Sequence, residues 1–292
     1  MRVAGFALAL AAAVAFGLYM LPRHFSTLRA PDFSAAMGVG SLVTLSVPLA
    51  FATGRFTALG FALAVGAGLI WALATHLFVL SVDALDITRA TPVKNLAGVF
   101  GTLFGLLLLH EYATSGSLTI AQLVLGSLLI GVGAYLIGGL AGSAARGATP
   151  RGAKLRGFLW AFVSALCFGF YIVPLRLSAP LGAGFAYFGL GLGAMLGLSL
   201  PRWLRGTWRL PPREFGLGAL AGALLALGAI LGVPATRLIG LSIAWPLTQL
   251  NTFVALAASV FWLREYDPRQ ARPRLLSAGI LTLFGLVLLA LV

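Results

Sequence analysis

A lysine inside an apolar run is the residue in this chain with the most chemical consequence. Lys94 lies about two turns into such a run, and a charge at that depth in lipid costs about 2.5–3.5 kcal/mol on insertion scales. Its side chain must therefore face a cavity or a partner. Next to it stand Pro92 and Asn95, and a matching stretch later in the chain carries Pro246, Thr248, Gln249 and Asn251. Ammonium, amide and hydroxyl groups of this kind bind a small polar solute reversibly. A proline within a membrane helix also removes one backbone donor and frees the carbonyl four residues earlier, here at Thr88 and Ser242. Paired interruptions of this sort mark binding sites in transporters. The structural alternatives are prolines in a first helical turn, amides that join helices, and a Lys94 that pairs with Asp86 or snorkels to the interface. The functional alternative for Lys94 is a proton-coupled or anion-attracting group.

Other side chains could line the same path. Tyr19 and Tyr171 are each followed one turn later by proline, and Trp71, Trp160 and Trp245 could stack on the apolar face of a sugar ring. Interfacial anchoring accounts for such aromatics equally well. Coupling or gating candidates are His76, Asp83, Asp86, Glu111 and Glu265. The two glutamates end apolar runs, where a helix dipole disfavours an acid, so each calls for a specific partner. No H-E-x-x-H, serine nucleophile elbow or acidic metal cluster accompanies them, so neither catalytic residues nor a metal or cofactor is expected. Cys167, the single cysteine, lies in an apolar run and supports no disulfide framework. Gly189, Gly191 and Gly193 read as close helix packing rather than a nucleotide loop.

The elements that position these residues follow from composition. The chain has 292 residues, of which 60% are hydrophobic and 9% charged, whereas soluble domains carry roughly 25% charge. Its mean hydropathy is +1.01. Apolar runs long enough to span a bilayer recur throughout and lack the alternation of barrel strands. They lie near residues 3–21, 33–53, 57–82, 85–109, 118–140, 155–175, 183–200, 215–236, 238–263 and 275–292. The expected fold is an all-α integral membrane bundle of ten transmembrane helices.

An internal repeat organises the ten. Residues 5–26 align without gaps on residues 157–178, and both carry F-G-x-Y-x-x-P. In a second match Pro92, Asn95, Leu96, Glu111 and Tyr112 correspond to Pro246, Gln249, Leu250, Glu265 and Tyr266. This divides the chain into a first five-helix repeat, 1–142, a basic connector, 143–156, and a second repeat, 157–292. It also argues against reading the first segment as a cleaved signal. An odd number of helices per repeat inverts the second half relative to the first, a recurring transporter plan. The net charge of +13 sits in short loops rather than in a basic domain, which points to lipid head groups and topology, not nucleic acid. Arg23, Arg29, Arg202, Arg205, Arg209, Arg213, Arg264, Arg269, Arg272 and Arg274 share one side with the connector. Arg2, Arg55, Arg176 and Arg237 lie on the other. The positive-inside rule makes the rich side cytoplasmic and both termini extracytoplasmic.

On F-G-x-Y-x-x-P in the first and sixth segments, and on R-A-T-P-V-K-N-L (89–96) and A-W-P-L-T-Q-L-N (244–251) ahead of Glu-Tyr pairs, the sequence resembles the drug/metabolite transporter superfamily. Within it the chain is most similar to the glucose/ribose porters and their transmembrane sugar-transporter relatives. Members of that branch often place a lysine shortly after the first motif's proline, where this chain has Arg23 and, in the second copy, Leu175 and Arg176. The resemblance implies a secondary transporter of ten helices in two duplicated halves.

The expectation is alternating-access transport of a small polar solute, a sugar first, with proton coupling as an option, through a cavity between segments 1, 3, 4, 6, 8 and 9. Lys94, Asn95, Thr248, Gln249 and Asn251 would contact substrate, joined by Tyr19, Tyr171, Trp160 and Trp245. Efflux of amino acids, drugs or other metabolites is the alternative, and a membrane enzyme acting on lipid-linked substrates is a more distant one. The expected setting is a prokaryotic-type inner membrane, with the chain as monomer or homodimer.

Overall fold

The computed structural model describes residues 2–51, 54–85, 87–138, 151–178, 181–204, 206, 210–258 and 268–292. Asp86 and Glu265 lie outside them. Regular structure among the described residues is helical throughout. An α-helix closes its backbone hydrogen bonds within itself, which is what lipid requires of each run.

Nine spans among the described residues are long and apolar enough to cross a membrane. The first joins α1 (Arg2–Leu18) to α2 (Leu21–His24), and the second is α3 (Ala30–Ser46) with a 3₁₀ turn, Val47–Phe51. The third is α4 (Ala58–Leu85), the fourth α5 (Ile87–Lys94) with α6 (Ala97–Leu108), and the fifth α7 (Ser117–Gly138). Then come α8 (Arg151–Phe170) with α9 (Ile172–Leu177), α10 (Ala183–Leu204), α11 (Pro212–Ile239), and α12 (Leu241–Thr248) with α13 (Asn251–Ala258). The last helix, α14 (Pro268–Ala290), contains a shorter apolar stretch, Leu276–Ala290, and packs lengthwise on α7. The protein is an integral membrane helical bundle.

The fourth and ninth spans turn at a place different from the one their prolines suggest. Each helix continues through Pro92 or Pro246 and turns three residues later, at Asn95–Leu96 and Gln249–Leu250. The carbonyl that Pro246 deprives of its donor, on Ser242, instead accepts from Thr102 Oγ1 at 3.0 Å. A satisfied carbonyl lets the helix run past proline. The turns form where amides switch to partners three residues back. Leu96 N donates to Val93 O at 3.1 Å, Gln249 N to Pro246 O at 3.0 Å, and Leu250 N to Leu247 O at 3.1 Å. Pro234, inside α11, is accommodated the same way, because the Tyr187 hydroxyl donates to the freed Ile230 carbonyl at 3.2 Å.

Small residues set how closely helices approach. A Cβ on Gly193 would strike the Val65 carbonyl, and one on Gly68 the Leu190 carbonyl, so α10 and α4 meet backbone to backbone. Gly98, Gly101, Thr102 and Gly105 form one small-residue face of α6, on which α12 lies. A Cβ on Gly101 would come 2.5 Å from Trp245 Cδ1. Such stripes are how membrane helices gain van der Waals contact where lipid offers no hydrophobic drive.

Candidate functional site

Four interrupted spans converge at the centre of the bundle. Tyr19 sits in the turn between α1 and α2, and Tyr171 in the turn between α8 and α9. Asn95 and Gln249 occupy the turns of the fourth and ninth spans. A regular helix spends its backbone groups internally, whereas a turn frees side chains and carbonyls for other partners. In F-G-x-Y the phenylalanine and tyrosine line the central cavity, and the glycine allows close approach. A Cβ on Gly17 would collide with Val254 and come 2.9 Å from the Asn251 carbonyl, and one on Gly169 would come 2.7 Å from Phe100.

The cavity is lined by Phe16 and Tyr19 from the first span, Trp71 from α4, and Lys94 and Ala97 from the fourth span. Phe168 and Tyr171 come from the sixth span, Leu225 from α11, and Trp245, Thr248, Gln249 and Asn251 from the ninth. Aromatic rings form its walls: centroids lie 5.6 Å apart for Tyr171 and Trp245, 6.2 Å for Trp71 and Tyr171, and 6.3 Å for Phe16 and Trp245. Trp245 is pinned by its indole N–H, which donates to the Phe168 carbonyl at 3.1 Å. Measured to the centre of a water molecule the cavity holds about 20 Å³. That is little more than the roughly 10–15 Å³ that one water needs. The site is contracted.

Its polar groups divide into satisfied and unsatisfied atoms. Asn95 Nδ2 donates to Asn251 Oδ1 at 3.0 Å, to the Gln249 carbonyl at 3.3 Å and to Thr252 Oγ1. These bonds tie the turns of the fourth and ninth spans together. Gln249 Nε2 donates to the Trp245 carbonyl at 3.1 Å and to Thr248 Oγ1 at 3.0 Å. Yet the Tyr19 and Tyr171 hydroxyls, Asn95 Oδ1 and Gln249 Oε1 are buried without a partner among the described residues. Lys94, only 6% exposed, has its Nζ 5.6 Å from the Phe78 ring centre and 5.8 Å from that of Phe168. Among the described residues it has neither a hydrogen bond nor an ion pair. Buried polar atoms are normally satisfied, and four that are not, among the described residues, gather at this one place.

Several expected residues lie elsewhere. Trp160 is half-buried on α8 and does not line the cavity. Eight residues along the helix, about 12 Å of rise, take it to Phe168, the nearest lining residue on α8. His76 Nδ1 pairs with Ser34 Oγ at 3.2 Å, joining α4 to α3. Asp83 accepts from Arg23 Nη2 at 2.7 Å and Nε at 3.2 Å. Neither reaches the cavity. Glu111 accepts from the backbone N–H groups of Leu241 and Ser242 at 2.8 and 2.9 Å and from Ser242 Oγ at 2.8 Å, with Arg176 Nη1 3.6 Å away. It caps α12, where the positive end of the helix dipole favours an acid. Asp86 and Glu265 lie outside the described residues. Asn95 stands behind the cavity wall, bonded to residues that line it.

Sequence reasoning overlooked Thr252, Phe78 and the two motif phenylalanines, Phe16 and Phe168. The phenylalanines had a signal, since they occupy equal positions in the repeated motif. Thr252 and Phe78 had none beyond proximity to Asn251 and a place on α4.

Both ends of the bundle are tied. At one end Arg23 pairs with Asp83, Arg202 with Asp32, and Glu214 accepts from Ser26 Oγ at 2.6 Å and Thr27 N at 3.0 Å. At the other stand Glu111, Arg176 and the start of α12. A second cavity at that end, lined in part by Arg2, Tyr112 and Gly240, is larger at about 260 Å³. It gathers no unpartnered buried polar atom. The Tyr112 phenol there is pushed up by burial and by Glu111, against a smaller opposite effect of Arg2.

The likenesses to known proteins agree with this architecture. A "Probable glucose uptake protein GlcU" of Bacillus cereus is 31% identical over 38% of this chain and 38% of its own length, and the Bacillus anthracis protein of the same name matches to the same extent. A second Bacillus cereus protein of that name is 28% identical over 50% of this chain and 51% of its own. The alignments thus span about half or less of the curated relatives. A crystal structure superposes on 100% of this chain and 98% of its own with a TM-score of 0.70 at 17% identity, a likeness of fold alone. The sugar transport protein family model matches residues 7–292, and the chain belongs to that family.

Proposed function

We propose that this protein carries a sugar or closely related small polar solute across the cell membrane by alternating access, without covalent chemistry. The observation that carries this reading is the central cavity in which two phenols and the Gln249 amide oxygen lack partners among the described residues, beside the buried Lys94 ammonium, between bundle ends that are both tied. Alternating access needs a site at the midplane and contacts at each end that can break in turn. The family and the glucose-uptake names of its relatives support a sugar as cargo.

The two halves, 1–142 and 157–292, act in this reading as inverted repeats joined by the cytoplasmic connector 143–156. The matched glycines support it: Gly17 meets Val254 and Gly169 meets Phe100, pairs at equal positions of the sequence repeat. The arginine-rich loops favour an inner membrane orientation with both termini extracytoplasmic. Lys94, Gln249, Thr248 and Asn251 hold the solute, Tyr19 and Tyr171 bound it at either end, and Asn95 fixes the crossing of the two turns.

Uptake of labelled sugars by proteoliposomes, with and without an inward proton gradient, tests transport and coupling together. Combining Asn95→Ala with Gln249→Ala is expected to lower uptake of the best wild-type substrate at least tenfold. Unchanged uptake in that variant refutes the site.

A further inference from the structure

Lys94 carries information about the cargo that neither the family nor its relatives' names supply. Among the described residues it is the only charged one lining the central cavity. The acids that could neutralise it are engaged elsewhere among the described residues: Asp83 with Arg23, Asp32 with Arg202, Glu111 at the start of α12 and Glu214 with Ser26 and Thr27. What surrounds the ammonium is two aromatic faces, Phe78 and Phe168. Ring faces compensate a buried cation only partly, and removing a cation from water without an anion is costly. A neutral hexose entering this cavity would displace water and leave that cost standing. A carboxylate would cancel it.

The rest of the lining specifies what the carboxylate is attached to. The hydroxyls of Tyr19 and Tyr171 can donate or accept, and Gln249 Oε1 can only accept. These suit a ligand with several hydroxyls. Trp71 and Trp245 supply flat apolar walls for the C–H face of a pyranose or of an extended polyol chain. A single ammonium balances a single negative charge, so the second charge of a sugar phosphate would remain unpaired.

Resting on the reading of this cavity as the substrate site, we propose that the preferred cargo is a monoanionic sugar acid, a hexuronate or aldonate, whose carboxylate pairs with Lys94 while its hydroxyls satisfy Tyr19, Tyr171 and Gln249. Selectivity for acid over neutral sugar then resides in one side chain.

The test is uptake of labelled glucuronate, gluconate, glucose and glucose 6-phosphate by proteoliposomes containing the full chain, at a clamped membrane potential. Wild-type protein is expected to take up glucuronate or gluconate at least tenfold faster than glucose, and excess glucuronate is expected to block residual glucose uptake. In Lys94→Gln the ratio of acid to neutral uptake should fall at least tenfold, while Lys94→Arg should keep a preference for the acids. Glucose uptake that excess glucuronate does not inhibit, or faster uptake of glucose 6-phosphate, overturns the acid-sugar assignment and leaves the transporter reading intact. An unchanged ratio in Lys94→Gln also overturns it. If a monodisperse wild-type protein moves none of the four, both readings fall. The wild-type competition decides the matter even if the lysine variants fold poorly.

Discussion

At Tyr171 the proposed transport and the stability of the fold make opposite demands on one hydroxyl. Its residue is fully buried, and its oxygen has no partner. An unsatisfied buried polar atom costs about 1–3 kcal/mol, a cost that a hydrogen-bonding solute offsets in the transport proposed above. Replacing Tyr171 with Phe removes the hydroxyl and keeps the ring contacts with Trp71 and Trp245. The variant should melt higher than wild type, by about 1 kcal/mol in stability, and transport at least fivefold more slowly. Thermal melts in detergent and proteoliposome uptake measure the two effects. A variant that melts lower but transports normally would make Tyr171 a packing residue. The tyrosines were legible because each stands in a repeated motif one turn before a proline. Trp160 was not: an aromatic in an apolar run reads the same from sequence whether it lines the cavity or lies about 12 Å along its helix from the nearest lining residue, Phe168.

Among elements, the interrupted helices depend on partners from outside themselves. The start of α12 draws its cap from Glu111, which follows α6, rather than from a residue of its own. Glu111→Gln preserves length and shape but removes the charge that interacts with the helix dipole and with Arg176. It should cost about 1–3 kcal/mol, read as a lower melting temperature, whereas the same change at an exposed acid should cost nothing measurable. A melt equal to wild type would show that the carboxylate does not anchor α12. The odd placement of an acid at a helix end was visible in the sequence, and so was its need for a partner. Which partner was not, because 130 residues separate Glu111 from Leu241. The position of the turns was hidden for a related reason. Thr102 and Tyr187 satisfy the carbonyls that Pro246 and Pro234 release, and a proline whose lost bond is replaced in this way need not end its helix.

For the whole molecule, ties stand at both ends of the bundle, and in the transport proposed above one set opens at a time to admit the solute. Arg23, Asp83 and Glu214 close one end, and Glu111 and Arg176 the other. If the arginine-rich end is cytoplasmic, an alkaline phosphatase fused after Val292 should be active, and a green fluorescent fusion there dark. The opposite pattern would reverse the orientation and with it the assignment of the two ends.

Hydropathy alone determined that the chain crosses a membrane repeatedly, because the length of an apolar helix must match the hydrocarbon and leaves a local signature. The repeated F-G-x-Y-x-x-P and the paired prolines led to the expectation of which spans correspond, and the helices do turn at Tyr19 and Tyr171 and at Asn95 and Gln249. Only the tertiary structure decided which polar atoms remain without partners. Whether Lys94, Gln249 and the two tyrosines are satisfied depends on what distant helices bring to within hydrogen-bonding distance, and that is a property of packing rather than of any segment.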